Sequence, residues 1–293
     1  MGNIEEQEME FIKKLRFEAF ETEQVKAEES LALLEKIVAD QHWENARDLL
    51  SLLRNVQNSV EAKMKWETTP CNIVKRAIKL VIDEYNTCRR AGDGGGQSLF
   101  QFVSADPASE DLTDYTQVLP ELRDRILESV SEYKSEVEQS VELIAVQGES
   151  KIHSDEVIMT CGFCPMVLAF LTHAAKRRKF HVIVAEGAPK YDGHKMAKSL
   201  SSSGIQTTLI QDVAIFSMMS RVNKVIIGTR TVLSNGGIRT FVGAAPLADA
   251  AKFYSNPDAY VCVSKCKSRA QGTALEHHRT GNAVNLLLGP DIP

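Results

Sequence analysis

Two cysteines carry the most chemical promise in this sequence, in the run Cys161-Gly162-Phe163-Cys164-Pro165. A CxxC between a strand and a helix is the layout of a dithiol redox centre, because a helix N-terminus stabilises the first thiolate. Against a thioredoxin-type reading, no Trp precedes Cys161, and the motif lies deep in the chain with the wrong order of elements after it. Two small residues packing where the chain turns is the simpler expectation. Zinc would need Cys262 and Cys266 to join Cys161 and Cys164, or His277 and His278, but the C-x3-C spacing is loose and the pairs are distant in sequence. His153, His173, His181 and His194 show neither ligand nor triad spacing. The run Lys176-Arg177-Arg178-Lys179 falls where a helix should end, and the helix dipole accounts for it without a ligand. The glycines within 92–96 follow no strand and precede no GKS or GKT, so they read as a linker and not as a phosphate loop. On residue chemistry the chain therefore has no catalytic, cofactor-binding or metal-binding residue to nominate.

The elements that would position such residues divide the chain in two. Residues 4–20 and 25–39 have helical spacing, and Trp43, Ala46, Leu49, Leu53, Val56 and Val60 continue it. Ile73, Ala77, Leu80 and Val81 form a fourth stripe after Pro70. The fifth is the longest: Leu122, Ile126, Val130, Tyr133, Val137, Val141 and Ile144 keep one face apolar, with Pro120 suited to its first turn. From residue 155 to 254 short Val- and Ile-rich runs alternate with helical segments, which predicts a parallel sheet with crossover helices. Strands are expected at about 156–161, 181–185, 206–210 and 224–229, and helices at about 165–178, 192–203, 212–220 and 244–254. The fold class is α/β: a helical domain, 1–150, and then a sheet domain, 151–293.

Composition narrows the function classes. Hydrophobic residues make up 43% and charged residues 25%, ordinary for a soluble globular protein. No apolar run is long enough for a bilayer span, and the acidic start MGNIEEQEME is not a signal peptide. Met1-Gly2-Asn3 begins like a myristoylation site, but Glu6 stands where Ser or Thr belongs. Six cysteines without a signal peptide predict free thiols in a reducing compartment, the cytosol. The net charge of −5 hides a division: residues 1–150 hold 17 Lys+Arg and 30 Asp+Glu, giving −13, and residues 151–293 hold 17 and 9, giving +8. The basic half lacks interleaved aromatic residues, so direct nucleic-acid binding is not expected.

The segments HAAKRRKFHVIVAEGAPKYDGHKMAKSL, IFSMMSRVNKVIIGTRTVLSNGG and LALLEKIVADQHWENARDLL together resemble the alpha/beta/delta subunit family of eukaryotic translation initiation factor 2B, in its beta branch. AEGAP followed by SRVNKVIIGT is specific. The resemblance runs from about Ala27 to Ser255. It implies a helical domain before a Rossmann-like sheet related to sugar-phosphate isomerases, and a non-catalytic regulatory role in the exchange factor for initiation factor 2. Implied partners are the delta, alpha, gamma and epsilon subunits and the phosphorylated alpha subunit of initiation factor 2, with no cofactor. A phosphoprotein suits a domain of net +8. Asp155 and His181, near the first and second strands, look like family interface positions.

The isomerase relatives supply a residue test. Setting their THCN segment on Thr160-Cys161-Gly162-Phe163 puts Gly162 where the reactive Cys belongs. Setting their GADRxAANGD segment on residues 228–237 puts Gly237 where the Asp belongs. Glycine neither transfers a proton nor attacks, so isomerase activity is disfavoured, and an isomerase-like or CxxC redox enzyme is only the alternative reading. Past Ser255 the tail departs from the family pattern, with only residues 259–263 fit for a strand. The sheet is therefore expected to be incomplete at its carboxyl end, a solubility liability.

Overall fold

The structure is a computed structural model that describes residues 2–17, 23–40, 42–64, 68–92, 115–232, 238–254, 259–262 and 285–287. The glycine-rich stretch after Gly92, Gly237 and most of the tail lie outside these residues. Two compact units, Met1–Ser135 and Glu136–Pro293, divide the chain.

The first unit is helical: α1 Gly2–Arg16, α2 Glu23–Asp40, α3 Ala46–Lys63, α4 Thr69–Gly92, and the start of α5 Leu122–Val146. The expected stripes are its core, with Leu31, Leu34, Leu49, Leu53, Ile73, Tyr85, Leu122 and Ile126 all buried. Pro70 sits in the first turn of α4, where its missing N–H costs nothing. Pro120 falls two residues before α5 begins.

The last turn of α2 has no basic residue to meet its open carbonyls. A distant residue supplies it. Arg123 donates to the carbonyls of Val38 and Ala39 at 2.8 and 2.9 Å, and its guanidinium lies 4.4 Å from the Trp43 ring centroid. The Trp43 indole N–H donates to the same Val38 carbonyl at 3.1 Å. Asn45 then caps α3, its side chain accepting from the Asp48 N–H at 2.9 Å.

The second unit takes in the end of α5, whose Val141 and Ile144 pack into the sheet core. It continues with α6 Gly148–Lys151, β1 Val157–Cys161, α7 Pro165–Ala175, β2 His181–Ala185, α8 Asp192–Ser202 and β3 Gln206–Ile210. After β3 come α9 Ile215–Met218, β4 Lys224–Val232, β5 Ile238–Thr240, α10 Ala244–Phe253, β6 Ala259–Cys262 and β7 Asn285–Leu287. The sheet order is β3-β2-β1-β4-β6-β7, parallel throughout, with β5 antiparallel to β4.

Successive strand residues bury themselves on opposite faces. Ile158, Val182, Val184 and Ile226 join α7 and α8 residues Phe170, Leu171, Met196 and Leu200 on one side. Met159, Cys161, Ile183, Val225 and Ile227 join Ile215, Met219, Leu247 and Ala251 on the other. The helix expected over 212–220 is instead a 3-10 turn, the one-turn α9 and a second 3-10 turn. Ile215 and Met219 still face the sheet. Beyond α10 two short strands, β6 and β7, make the sheet's far edge.

Candidate functional site

In an open parallel sheet the strand order reverses between β1 and β4, so the crevice at their carboxyl ends is the first place to look for chemistry. Cys161 ends β1 there, only 2% exposed. Burial, then the Asp212 carboxylate and Cys164, push its thiol up to about 12. A redox CxxC needs the opposite shift, and at neutral pH this thiol is neutral. Cys164 is also a buried free thiol.

The loops around Cys161 are drawn tight by glycine. Gly162, with φ of +63°, lies against Phe241, where an added Cβ would come within 3.3 Å of the Phe241 Cβ. At Gly228 an added Cβ would meet Cys164 Sγ at 2.5 Å and the Phe241 ring at 3.3 Å. Phe241 thus occupies the space over both loops, and the Arg230 guanidinium stacks 5.1 Å from its ring centroid. The Asp212 carboxylate accepts from the Gly187 and Ala188 N–H groups at 2.9 and 2.8 Å. Across the first loop, Lys195 lies 4.7 Å over the Phe163 ring. Gly237, aligned above with the isomerase Asp, lies outside the described residues.

The opposite end of the sheet is open. A cavity of about 560 Å³ is lined by Asp155, Arg178, Lys179, Phe180, His181 and Gln206, among others. The two residues singled out in the sequence share this cavity. Asp155 precedes β1 in a left-handed conformation, φ +65°, and its N–H donates to the Lys179 carbonyl at 2.7 Å. His181 opens β2, its N–H donating to the Glu156 carbonyl at 2.9 Å, and its ring nitrogen sits 2.8 Å from the Thr208 hydroxyl on β3. Arg178 and Lys179, explained above by the helix dipole alone, and Gln206 join this cavity because the parallel register brings their segments together.

Beneath this end a buried ion pair fixes the strand starts. The Lys224 ammonium donates to Glu156 Oε1 and Oε2 at 2.7 and 3.0 Å and to the Lys151 carbonyl at 2.7 Å. Glu156 Oε2 also accepts from the His153 N–H at 2.9 Å. Among the described residues, no three or more His, Cys, Asp or Glu converge as a metal site, and no helix is long and apolar enough to cross a membrane.

A model of the initiation factor 2 subunit family, IF-2B, matches residues 21–278. The chain belongs to this family. It is 35% identical over 266 residues to translation initiation factor eIF2B subunit beta of Dictyostelium discoideum, spanning 78% of this chain and 68% of that one. The eIF2B subunit delta of the same organism is 29% identical over 167 residues, 56% of this chain and 27% of that one. The crystal structure of eIF2B beta from Chaetomium thermophilum shares the fold at a TM-score of 0.74 and 26% identity, covering 92% of this chain and 80% of that one. A chain of the tetrameric eIF2B-beta2-delta2 complex from the same fungus matches at 0.75 and 24%, covering 93% of this chain and 82% of that one. The IF-2B match continues past Ser255 to residue 278, across the β6 segment.

Proposed function

We propose that this chain is a beta-type regulatory subunit of initiation factor 2B, which contributes to assembly of the exchange factor and performs no catalysis itself. Its partners are the delta, alpha, gamma and epsilon subunits, and through the assembled complex it helps sense the phosphorylated alpha subunit of initiation factor 2. It works in the cytosol, without a cofactor, through a helical domain of 1–150 and a sheet domain of 151–293. The observation that carries this reading is the contrast between the two ends of the sheet. At the carboxyl ends Phe241 packs against the Gly162 and Gly228 loops and Cys161 is a neutral, buried thiol. At the amino ends a mixed-charge cavity stays open, with Asp155 and His181 on its wall. A catalytic crevice needs room for substrate and a titratable group near working pH; a contact surface needs accessible polar and charged side chains.

Co-purification tests it. The tagged full chain should recover delta- and gamma-type subunits at stoichiometric amounts, and exchange on initiation factor 2 should become less sensitive to the phosphorylated alpha subunit when Asp155 and His181 are replaced by Ala. Recovery of the chain free of such subunits would refute the reading, as would ribose-phosphate turnover that disappears in Cys161→Ser.

A further inference from the structure

Cys161 ends β1 and Cys164 immediately precedes α7, and one short segment packs beside both. The two thiols are 2% and 3% exposed. An added Cβ would come within 3.3 Å of Phe241 at Gly162, next to Cys161, and again at Gly228 on β4. The Gly228 Cβ would also strike Cys164 Sγ at 2.5 Å, so this sulfur and the Phe241 ring share the space over Gly228. Two residues after Phe241, Gly243 brings the chain beside Cys161, where an added Cβ would lie 3.7 Å from the Cys161 Cβ. Residues 238–243 thus border the surroundings of both thiols.

Little holds this segment down. Among the described residues β5 is three residues long and pairs with β4 alone, across a register shift between Thr229 and Thr231. Two hydroxyls supplement the ladder: Thr229 donates to the Arg239 carbonyl at 2.6 Å, and Thr240 to the Gly228 carbonyl. Ile238, Arg239 and Thr240 are only half-buried, and Val242 is 62% exposed. Gly243 follows with φ of +92°, a point at which the backbone can pivot. Beyond it α10 is anchored, with Ala244, Leu247, Ala250 and Ala251 in the core. A segment with few buried contacts between two anchored elements belongs to the low-stability end of a fold, where opening is local.

We propose that β5 and Phe241 form a strap whose lifting, short of unfolding, opens the Cys161–Cys164 pair to small thiol-reactive electrophiles. The pair is then a latent site of covalent modification, and the inference stands apart from the subunit reading above. With the strap down the Cys161 thiol, pushed up to about 12, is neutral and a poor nucleophile, so its modification reports the lifted state. Iodoacetamide is the probe. The sulfur gives its proton to water and bonds to the methylene carbon, while the carbon–iodine bond breaks and iodide leaves.

The full chain is treated at pH 8, and mass spectrometry follows alkylation of the peptide that carries Cys161 and Cys164. The wild-type chain should react at least 100-fold more slowly than the urea-unfolded chain. Phe241→Ala should raise the rate at least 10-fold. Thr240→Val keeps the ring but removes one tie, and should raise the rate about 5-fold, as the net value of one hydrogen bond predicts. Lys224→Met separates local from global opening, because it loosens the other end of the sheet; its rate should stay within about 2-fold of wild type. An equal rise in Lys224→Met and Phe241→Ala would mean that the thiols are reached by unfolding of the whole unit, and would overturn the inference. Wild-type reaction at the unfolded rate would overturn it too, as would wild-type rates in both Phe241→Ala and Thr240→Val. Each of these failures leaves the subunit reading standing, since co-purification tests that reading separately.

Discussion

Replacing Lys224 with Met removes the one ammonium that ties together the starts of β1 and β4. All three of its protons are used, two on the Glu156 carboxylate and one on the Lys151 carbonyl. Met keeps the packed stem but leaves a carboxylate and a carbonyl without their donor. Breaking a buried pair costs about 3–5 kcal/mol. Here the figure must be discounted, because the Glu156 side chain is 16% exposed and keeps the His153 N–H. We expect a loss of about 2–3 kcal/mol, which at a urea dependence of about 2 kcal/mol per molar lowers the midpoint by about 1–1.5 M. The readout matters. Trp43 is buried within Met1–Ser135, so its fluorescence follows the helical unit and not the sheet. Amide hydrogen exchange of peptides spanning β1 and β4, measured across a urea series, follows the sheet directly. Adding Glu156→Gln removes the stranded charge, and the double variant should recover at least 1 kcal/mol, a direct measure of coupling. A midpoint shift below 0.5 M, or a double variant no better than Lys224→Met, would refute the buried-pair argument.

Three further outcomes follow from the same geometry. The Cys161 thiol, raised from 9.0 to about 12, stays neutral in the fold while the unfolded chain ionises above about pH 9. Its stabilisation is complete below pH 9 and is lost between about 9 and 12, so unfolding at pH 10.5 should show a deficit of about 1–2 kcal/mol that Cys161→Ala lacks. Arg123→Ala strips the α2 carbonyls of their donor and the Trp43 ring of its cation, and should cost the helical unit about 1–2 kcal/mol by Trp fluorescence melts. Arg123→Lys should regain less than half, lacking the planar fork. Gly162→Cys puts a thiol at the position aligned above with the reactive Cys, yet φ of +63° and the approach to Phe241 should cost about 2 kcal/mol, with no ribose-phosphate turnover.

How far the sequence revealed this molecule depended on whether a feature was local. The Val- and Ile-rich runs marked β1, β2 and β4 because a strand buried on both faces must be nearly continuous in apolar residues. β5, three residues reading Ile-Arg-Thr, carries no such mark; it exists because Thr229 and Thr240 tie it to β4 through hydroxyl bonds to the Arg239 and Gly228 carbonyls. The helix expected over 212–220 is broken into short turns, although Ile215 and Met219 still pack on the sheet. Asp155 and His181 were recognised one at a time through family resemblance. Their common cavity depends on the register of β1, β2 and β3, and no spacing within one segment encodes that.

The carboxyl-end crevice carries its own counter-charge for the loop amides. Adjacent backbone N–H groups in a loop after a strand form an anion site, and left empty and out of water they would cost stability. Here the Gly187 and Ala188 pair is filled from within by the Asp212 carboxylate. Close by, Gly162 and Gly228 admit Phe241 and Cys164, which pack against the loops. An anionic ligand at these amides would have to displace Asp212, losing interactions that the fold already has.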